Sequence, residues 1–217
     1  KLCKKSENMN KIAVIGLGYV GLPLAIEFGK IRSVIGYDID ERRINDLKNS
    51  HDATNEIGAS DFNKSKNLLF TSNLSDLKNC SIFIVTVPTP IDSTNNPNLN
   101  PLISACEAVG SILQKNNIVI FESTVYPGAT REVCVPILES ISGLKLNKDF
   151  GVGYSPERIN PGDKKHTIEE IIKLTSGSDS ETLLKVDQLY KKIIKAGTFQ
   201  TSSIEIAEAA KIIENTQ

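Results

Sequence analysis

Residues Lys11-Ile12-Ala13-Val14-Ile15 run directly into Gly16-Leu17-Gly18-Tyr19-Val20-Gly21, and no other stretch of the chain restricts the fold as much. An unbroken apolar run reads as a strand covered on both faces, and glycines spaced G-x-G-x-x-G at its end read as a strand–turn–helix unit. Gly16 permits the tight turn, Gly18 leaves bare backbone where a pyrophosphate would rest, and Gly21 lets the helix lie close to the strand. The helix N-terminus contributes N–H groups and partial positive charge, so the unit suits an anion. A strand-to-helix turn that binds nothing would carry the same glycines, and the second strand decides between the two.

That second β-branched run ends in Gly36-Tyr37-Asp38, with Asp38 at the tip of the strand. A carboxylate there accepts hydrogen bonds from both ribose hydroxyls of an adenosine and repels a 2′-phosphate, so NAD is the expected cofactor rather than NADP. Arg42 and Arg43 stand just beyond it. Either could reach the adenine or a phosphate, or be solvated charge on a helix face.

Short β-branched runs alternate with helical patterns along the rest of the chain, which is the pattern of a parallel sheet covered by helices. Strands are predicted near 11–16, 33–38, 68–71, 82–87, 118–122, 150–154, 173–176 and 195–199. The clearest helices fall at 19–30, 40–48, 101–115, 129–140, 179–193 and 203–217, with Asp40 as an N-cap and Pro101 in a first turn. The expected class is α/β: a doubly wound, Rossmann-type, mostly parallel sheet with helices on both faces and inner order 3-2-1-4-5-6. Residues 1–10 read as a flexible extension, 11–202 as one NAD-binding domain, and 203–217 as the start of a connecting helix whose pattern is still running at Gln217. Two polar stretches, 49–66 and 88–100, break the rhythm as irregular connections.

Lysine and arginine number 25 against 26 acids, so no global field draws the chain to nucleic acid or to lipid headgroups. No apolar run is long enough to span a bilayer, and a soluble cytoplasmic protein is expected. Cys3, Cys80, Cys106 and Cys134 are widely spaced, with no C-x-x-C pattern and no nearby histidine, so neither a metal site nor a disulfide framework is expected. Cys106 and Cys134 stand in apolar surroundings and read as buried thiols.

Three more motifs fall where strands end on one sheet edge: Thr86-Val87-Pro88-Thr89-Pro90, Glu122-Ser123-Thr124-Val125-Tyr126-Pro127-Gly128, and Tyr154-Ser155-Pro156-Glu157-Arg158. Ligands of open α/β sheets collect at that edge. Together with GLGYVGLPLA at 16–25, ESTVYPGAT at 122–130, SPERINPGD at 155–163 and EAAKIIEN at 208–215, the set resembles the UDP-glucose/GDP-mannose dehydrogenase family. The run from SPER through INPGDKKH is most similar to the branch acting on UDP-N-acetylhexosamines.

The resemblance implies oxidation of a sugar C6 hydroxyl to a carboxylate with two NAD, in precursor synthesis for cell-surface polysaccharide. It implies a cofactor site of Gly16, Gly18, Tyr19, Val20, Gly21, Asp38, Arg43, Thr86, Pro88, Thr89, Ser123, Thr124 and Glu157. Thr89 and Thr124 would lie beside the nicotinamide and its ribose, Glu157 near the reacting carbon. Lys211 and Asn215, four apart on one helix face, would hold an oxyanion at C6. The catalytic set is thus Glu157, Lys211, Asn215 and Thr124. It further implies a nucleophilic cysteine in a glycine-rich GGHC-type motif that this sequence lacks, a UDP-sugar substrate completed by a further domain, and a homo-oligomeric whole protein. UDP-glucose, UDP-ManNAc and GDP-mannose dehydrogenases are the nearest alternatives; a non-catalytic NAD-binding module is a more distant one. A hydroxyacyl-type dehydrogenase would show a catalytic histidine after the fifth or sixth strand, where only His166 in a lysine-rich loop is found.

Overall fold

The computed structural model describes residues 11–91, 97–157 and 168–215. The expected N-terminal extension, the middle of the 88–100 connection, Arg158, Pro161-Gly162 and His166 lie outside the described residues, as does the side chain of Asn215.

The strands are β1 (Ile12–Ile15), β2 (Val34–Tyr37), β3 (Leu68–Thr71), β4 (Ile82–Val85), β5 (Ile118–Phe121), β6 (Gly151–Tyr154), β7 (Lys173–Gly177) and β8 (Thr198–Gln200). They form one sheet in the order β3-β2-β1-β4-β5-β6-β7-β8, parallel except where β7 runs antiparallel to β6. The 3-2-1-4-5-6 order holds, and the order reverses between β1 and β4, which pair in register from Ile12↔Ile82 to Ile15↔Val85. That reversal opens the crevice where ligands of such sheets bind.

The helices are α1 (Gly21–Ile31), α2 (Glu41–Lys48), α3 (Ala59–Lys64), α4 (Asn100–Ile112), α5 (Val135–Ser142), α6 (Ser180–Tyr190) and α7 (Ile204–Asn215). Alternate strand residues serve two separate cores. Ile12, Val14, Ile84 and Ile120 pack with α1, α2 and α6 through Leu22, Phe28, Ile44, Leu47, Val186 and Tyr190. Ala13, Ile15, Phe83, Val85 and Phe121 face the other way onto α4, α5 and the start of α7 through Cys106, Val109, Leu138 and Ala207. Both faces of the inner strands are therefore dry, which is why those strands are apolar at every position. Among the described residues no helix is long and apolar enough to cross a membrane.

Several boundaries differ from expectation. The 49–66 stretch contains α3, which buries none of its residues and so shows no apolar period to betray it. A short 3₁₀ helix, Leu74–Asn79, is likewise absent from the sequence reading. The helix expected at 101–115, α4, stops at Ile112, because Leu113 turns extended and the Asn117 side chain accepts from Gln114 N at 2.7 Å. The helix expected at 129–140 begins as a π-helical turn over Thr130–Cys134 before α5. Pro136 has no N–H for the carbonyl four residues back, and a widened turn accommodates its ring. The last strand is Thr198–Gln200, displaced from 195–199, since Gly197 takes a positive φ of 90° and Gly197 N bonds Ile194 O as part of a turn.

Candidate functional site

The loop after β1 is shaped by close approach. Gly16 has φ +89°, and a Cβ there would meet Val87 at 3.1 Å. A Cβ on Gly21 would lie 1.8 Å from Gly16 O and 2.3 Å from Thr86 Oγ1, so no side chain fits. Gly18 by contrast has nothing within 4 Å of the equivalent position. Two glycines are thus demanded by packing, and the middle one faces open space at the start of α1, where a phosphate has room to meet bare backbone.

Asp38 braces this loop. Its Oδ2 accepts from Leu17 N at 2.8 Å and its Oδ1 from Asp40 N at 3.0 Å. Each carboxylate oxygen can accept more than one hydrogen bond, so these contacts fix the group without exhausting it. The structure also separates the two arginines. Arg42 is exposed beside Asp40, the N-cap of α2. Arg43 donates from Nε and Nη2 to Leu17 O at 2.9 and 2.7 Å, and its Nη1 pairs with Asp52 at 2.8 Å.

Asp52 is a buried hub that the sequence did not disclose. It accepts from Thr54 N and Oγ1, Glu56 N and Ile57 N at 2.7 to 3.0 Å. Burial works against its charge, but the hydrogen bonds from Thr54, Arg43 and Ile57 outweigh it and hold the carboxyl below its ordinary range. The fold of this turn carries Thr54 to the wall of a cleft at the strand ends. Asp-x-Thr is a side-chain-capped turn signal, and it was the available clue.

That cleft, of about 480 Å³, opens at the C-terminal ends of β1, β4, β5 and β6. It gathers Gly18, Tyr19, Val20, Thr86, Pro88, Thr89, Ser123, Thr124, Glu157 and Lys211 from five separate segments, and adds Thr54 and Glu122. Gly16, Gly21, Asp38 and Arg43 support its rim instead of lining it. A larger hollow of about 510 Å³ lies against β3 and α3, lined by Leu47, Phe62 and Phe70 among others, and holds none of the expected residues.

Hydroxyls tie the strand ends together beneath the cleft. Thr86 Oγ1 donates toward Gly16 O at 2.6 Å, and Ser123 Oγ donates to Val87 O at 2.6 Å. Tyr154 OH donates to Ser123 O at 3.2 Å. Thr86 and Ser123 thus spend their hydroxyls on backbone. Thr89 Oγ1 is different: it is buried and has no hydrogen-bond partner among the described residues, and it belongs to the cleft lining. A buried hydroxyl without a partner is costly, and a ligand oxygen in the cleft would relieve it. The open space at Gly18, the carboxylate at Asp38 and this hydroxyl fit a dinucleotide.

Behind the cleft lies a buried charge group. Lys173 Nζ sits 2.6 Å from Glu122 Oε2, 3.2 Å from Pro156 O and 3.7 Å from Glu157 Oε2, and the Tyr190 hydroxyl donates to the other Glu122 oxygen. Burial pushes the Glu122 carboxyl up even with the ammonium beside it. Burial opposes the charge on Lys173, yet Glu122 and Glu157 outweigh it and hold that group above its ordinary value. Glu157 is itself buried, so its carboxylate meets the cleft from within the protein rather than from the surface. Glu122 and Glu157 stood in the strand-end motifs, and the lysine inside β7 that joins them was left without a role in the sequence.

Glu208 is the other residue the motifs contained without a role. Fully buried on α7, it accepts from Gly128 N at 2.6 Å and Thr130 N at 3.0 Å. It thereby caps the helix that follows β5 and fastens the helix carrying Lys211 to the turn carrying Thr124.

Comparison with known proteins agrees with this arrangement. The description "UDP-glucose/GDP-mannose dehydrogenase family, NAD binding domain" matches residues 10–194. A UDP-N-acetyl-D-glucosamine 6-dehydrogenase of Pseudomonas aeruginosa is 59% identical over 207 residues, 95% of this chain and 49% of that protein. A protein of the same name from Salmonella typhi is 55% identical over 207 residues, again 95% of this chain and 49% of its own length. The solved structure of a UDP-D-ManNAc dehydrogenase from Pyrococcus horikoshii superimposes with a TM-score of 0.86 at 33% identity, covering 95% of this chain and 50% of that one. The chain spans about half the length of the curated relatives it matches. With the glycine loop, the reversal of strand order and the shared cleft already in place, the chain belongs to the UDP-glucose/GDP-mannose dehydrogenase family, whose NAD-binding domain it carries.

Proposed function

We propose that this chain is the cofactor-holding part of a UDP-N-acetylhexosamine 6-dehydrogenase, with UDP-N-acetylglucosamine as the sugar nucleotide, acting in the cytoplasm. The identity of 55 to 59% to proteins of that name favours this branch over the UDP-ManNAc, UDP-glucose and GDP-mannose enzymes. The observation that carries the reading is the single cleft in which Gly18, Thr89, Thr124, Glu157 and Lys211 meet. A non-catalytic NAD-binding module has no need of Glu157 and Lys211 in one cavity.

In this reading residues 11–202 form the NAD domain and 203–217 begin a helix that leads onward. The backbone at Gly18, Tyr19 and Val20 meets the pyrophosphate at the N-terminus of α1, with Gly16 and Gly21 shaping the loop. Asp38 accepts from the adenosine ribose, and Arg43 holds the loop and the Asp52 turn in place. Thr86, Pro88 and Thr89 on one side and Ser123 and Thr124 on the other border the nicotinamide half. Bound NAD supplies a hydride acceptor for each of the two oxidation stages. Glu157 moves or holds a proton near the reacting carbon, directly or through a water. Lys211, with Asn215 one turn further along α7, stabilises negative charge on the sugar O6.

Calorimetric titration with NAD and NADP tests this. NAD binds, NADP binds at least about tenfold more weakly because of Asp38, and Gly18→Val weakens NAD by about tenfold or more by filling the phosphate space. No heat with either dinucleotide, or an unchanged affinity in Gly18→Val, overturns the assignment.

A further inference from the structure

In the proposed function the glycine loop and the strand-end threonines hold the dinucleotide, and Lys173 has no part in that role. The lysine nevertheless occupies the centre of three segments: Glu122 at the end of β5, Pro156 and Glu157 after β6, and its own strand β7. The side chains of Glu122, Lys173 and Glu157 are 0%, 4% and 6% exposed. Buried charge groups of this kind are replaced by apolar residues at little or no loss of stability, so stability alone does not account for it. Its geometry does. The ammonium joins two buried carboxylates of the cleft lining, Glu122 and Glu157, and it also holds the carbonyl of the residue just before Glu157.

We propose that Lys173 is a positioning residue for Glu157: by bridging Glu122 to Glu157 and gripping the Pro156 carbonyl, it fixes how the Glu157 carboxylate meets the nicotinamide side of the cleft. This rests on the proposed function, in which Glu157 faces the cofactor. The antiparallel turn of β7 against β6 makes the bridge possible, since it sets Lys173 across from the segment after β6.

Among the described residues, the titratable groups around Lys173 are Glu122 at the end of β5, Tyr154 and Glu157 from β6 and the segment after it, and Tyr190 from α6, whose ring lies 5.3 Å from Nζ. From α7 come Glu208, whose charge reaches Tyr154, and Lys211 on the cleft wall. Without the lysine, Glu122 and Glu157 repel each other across a dry gap. Burial already pushes the Glu122 carboxyl above 4.5, and loss of the ammonium pushes it further the same way. A raised carboxyl takes up its proton at higher pH, so acidification removes the repulsion.

The test is the NAD affinity of this 217-residue chain between pH 5 and 8.5, by calorimetry. The unaltered chain gives a flat profile. Lys173→Met binds NAD about tenfold more weakly at pH 8 and recovers as the pH falls toward 5. Adding Glu122→Gln to Lys173→Met restores affinity to within about threefold at every pH, and Lys173→Arg, which can still bridge, stays close to the parent. If Lys173→Met does not fold, Glu122→Gln alone decides: the lysine is then drawn fully onto Glu157 and NAD affinity falls about threefold or more. Parental affinity with a flat profile in Lys173→Met, a pH-independent loss that Glu122→Gln does not rescue, or unchanged affinity in Glu122→Gln overturns the inference. An unaltered chain that does not bind NAD sinks the proposed function itself, and this inference with it.

Discussion

Asp52 shows how one buried carboxylate can organise a stretch with little regular structure. Four N–H or O–H groups and one guanidinium converge on it, and through Arg43 it reaches the carbonyl of Leu17 in the glycine loop. Because its folded pKa lies below the ordinary 3.8, its contribution is complete above that value and is lost as the pH falls through the lower folded one. Asp52→Asn should therefore be less stable than the parent by about 2 kcal/mol at pH 6, with the gap closing below pH 3.8. Denaturant titrations at pH 2 to 6 measure this; a gap that does not change with pH would mean that the charge is irrelevant. Spacing alone left the two arginines near Asp38 equivalent and only the family resemblance named Arg43, because the partner that anchors it is nine residues further along in an aperiodic stretch.

At the scale of elements, α7 depends on a bond it makes far along the chain. Its N-terminal half buries Ile204 and Ala207, and Glu208 supplies both acceptors for the turn after β5. Glu208→Ala should cost about 2 to 4 kcal/mol and weaken NAD binding, whereas Glu208→Gln, which keeps one acceptor, should lose about half as much. Equal losses for the two in chemical denaturation would point to packing alone.

Elements were legible where burial imposes a pattern. The inner strands announce themselves because both faces are covered, and the helices of the two cores because their apolar residues recur every three or four positions. α3 was invisible because it buries no residue, and the π-helical turn because proline's missing donor acts on its shape and not on its apolar pattern. The cleft was legible as a set of strand ends. Lys173, Asp52 and Thr54 were not, since their importance lies in what they touch across the fold.

For the molecule as a whole, the cleft at the strand ends draws its lining from segments far apart in the chain, and no described cysteine is among them. Oxidation of an aldehyde held on the enzyme needs a thiolate. Burial pushes Cys80 up to about 11, and Cys106 is raised by its hydrogen bond with Cys134 and by burial, so neither is suited to attack. Cys134 is buried in the same core. With no described cysteine suited to the second stage, this chain mixed with NAD and UDP-N-acetylglucosamine should form no uronic acid product by mass spectrometry, and its sustained formation would show that these thiols are dispensable. The side-chain hydroxyls of Thr86, Ser123 and Tyr154 stitch β1, β4, β5 and β6 to one another directly under the cleft. An incoming ligand consequently finds a preassembled floor, and the ordering entropy that would otherwise weaken its capture has already been spent when the chain folds.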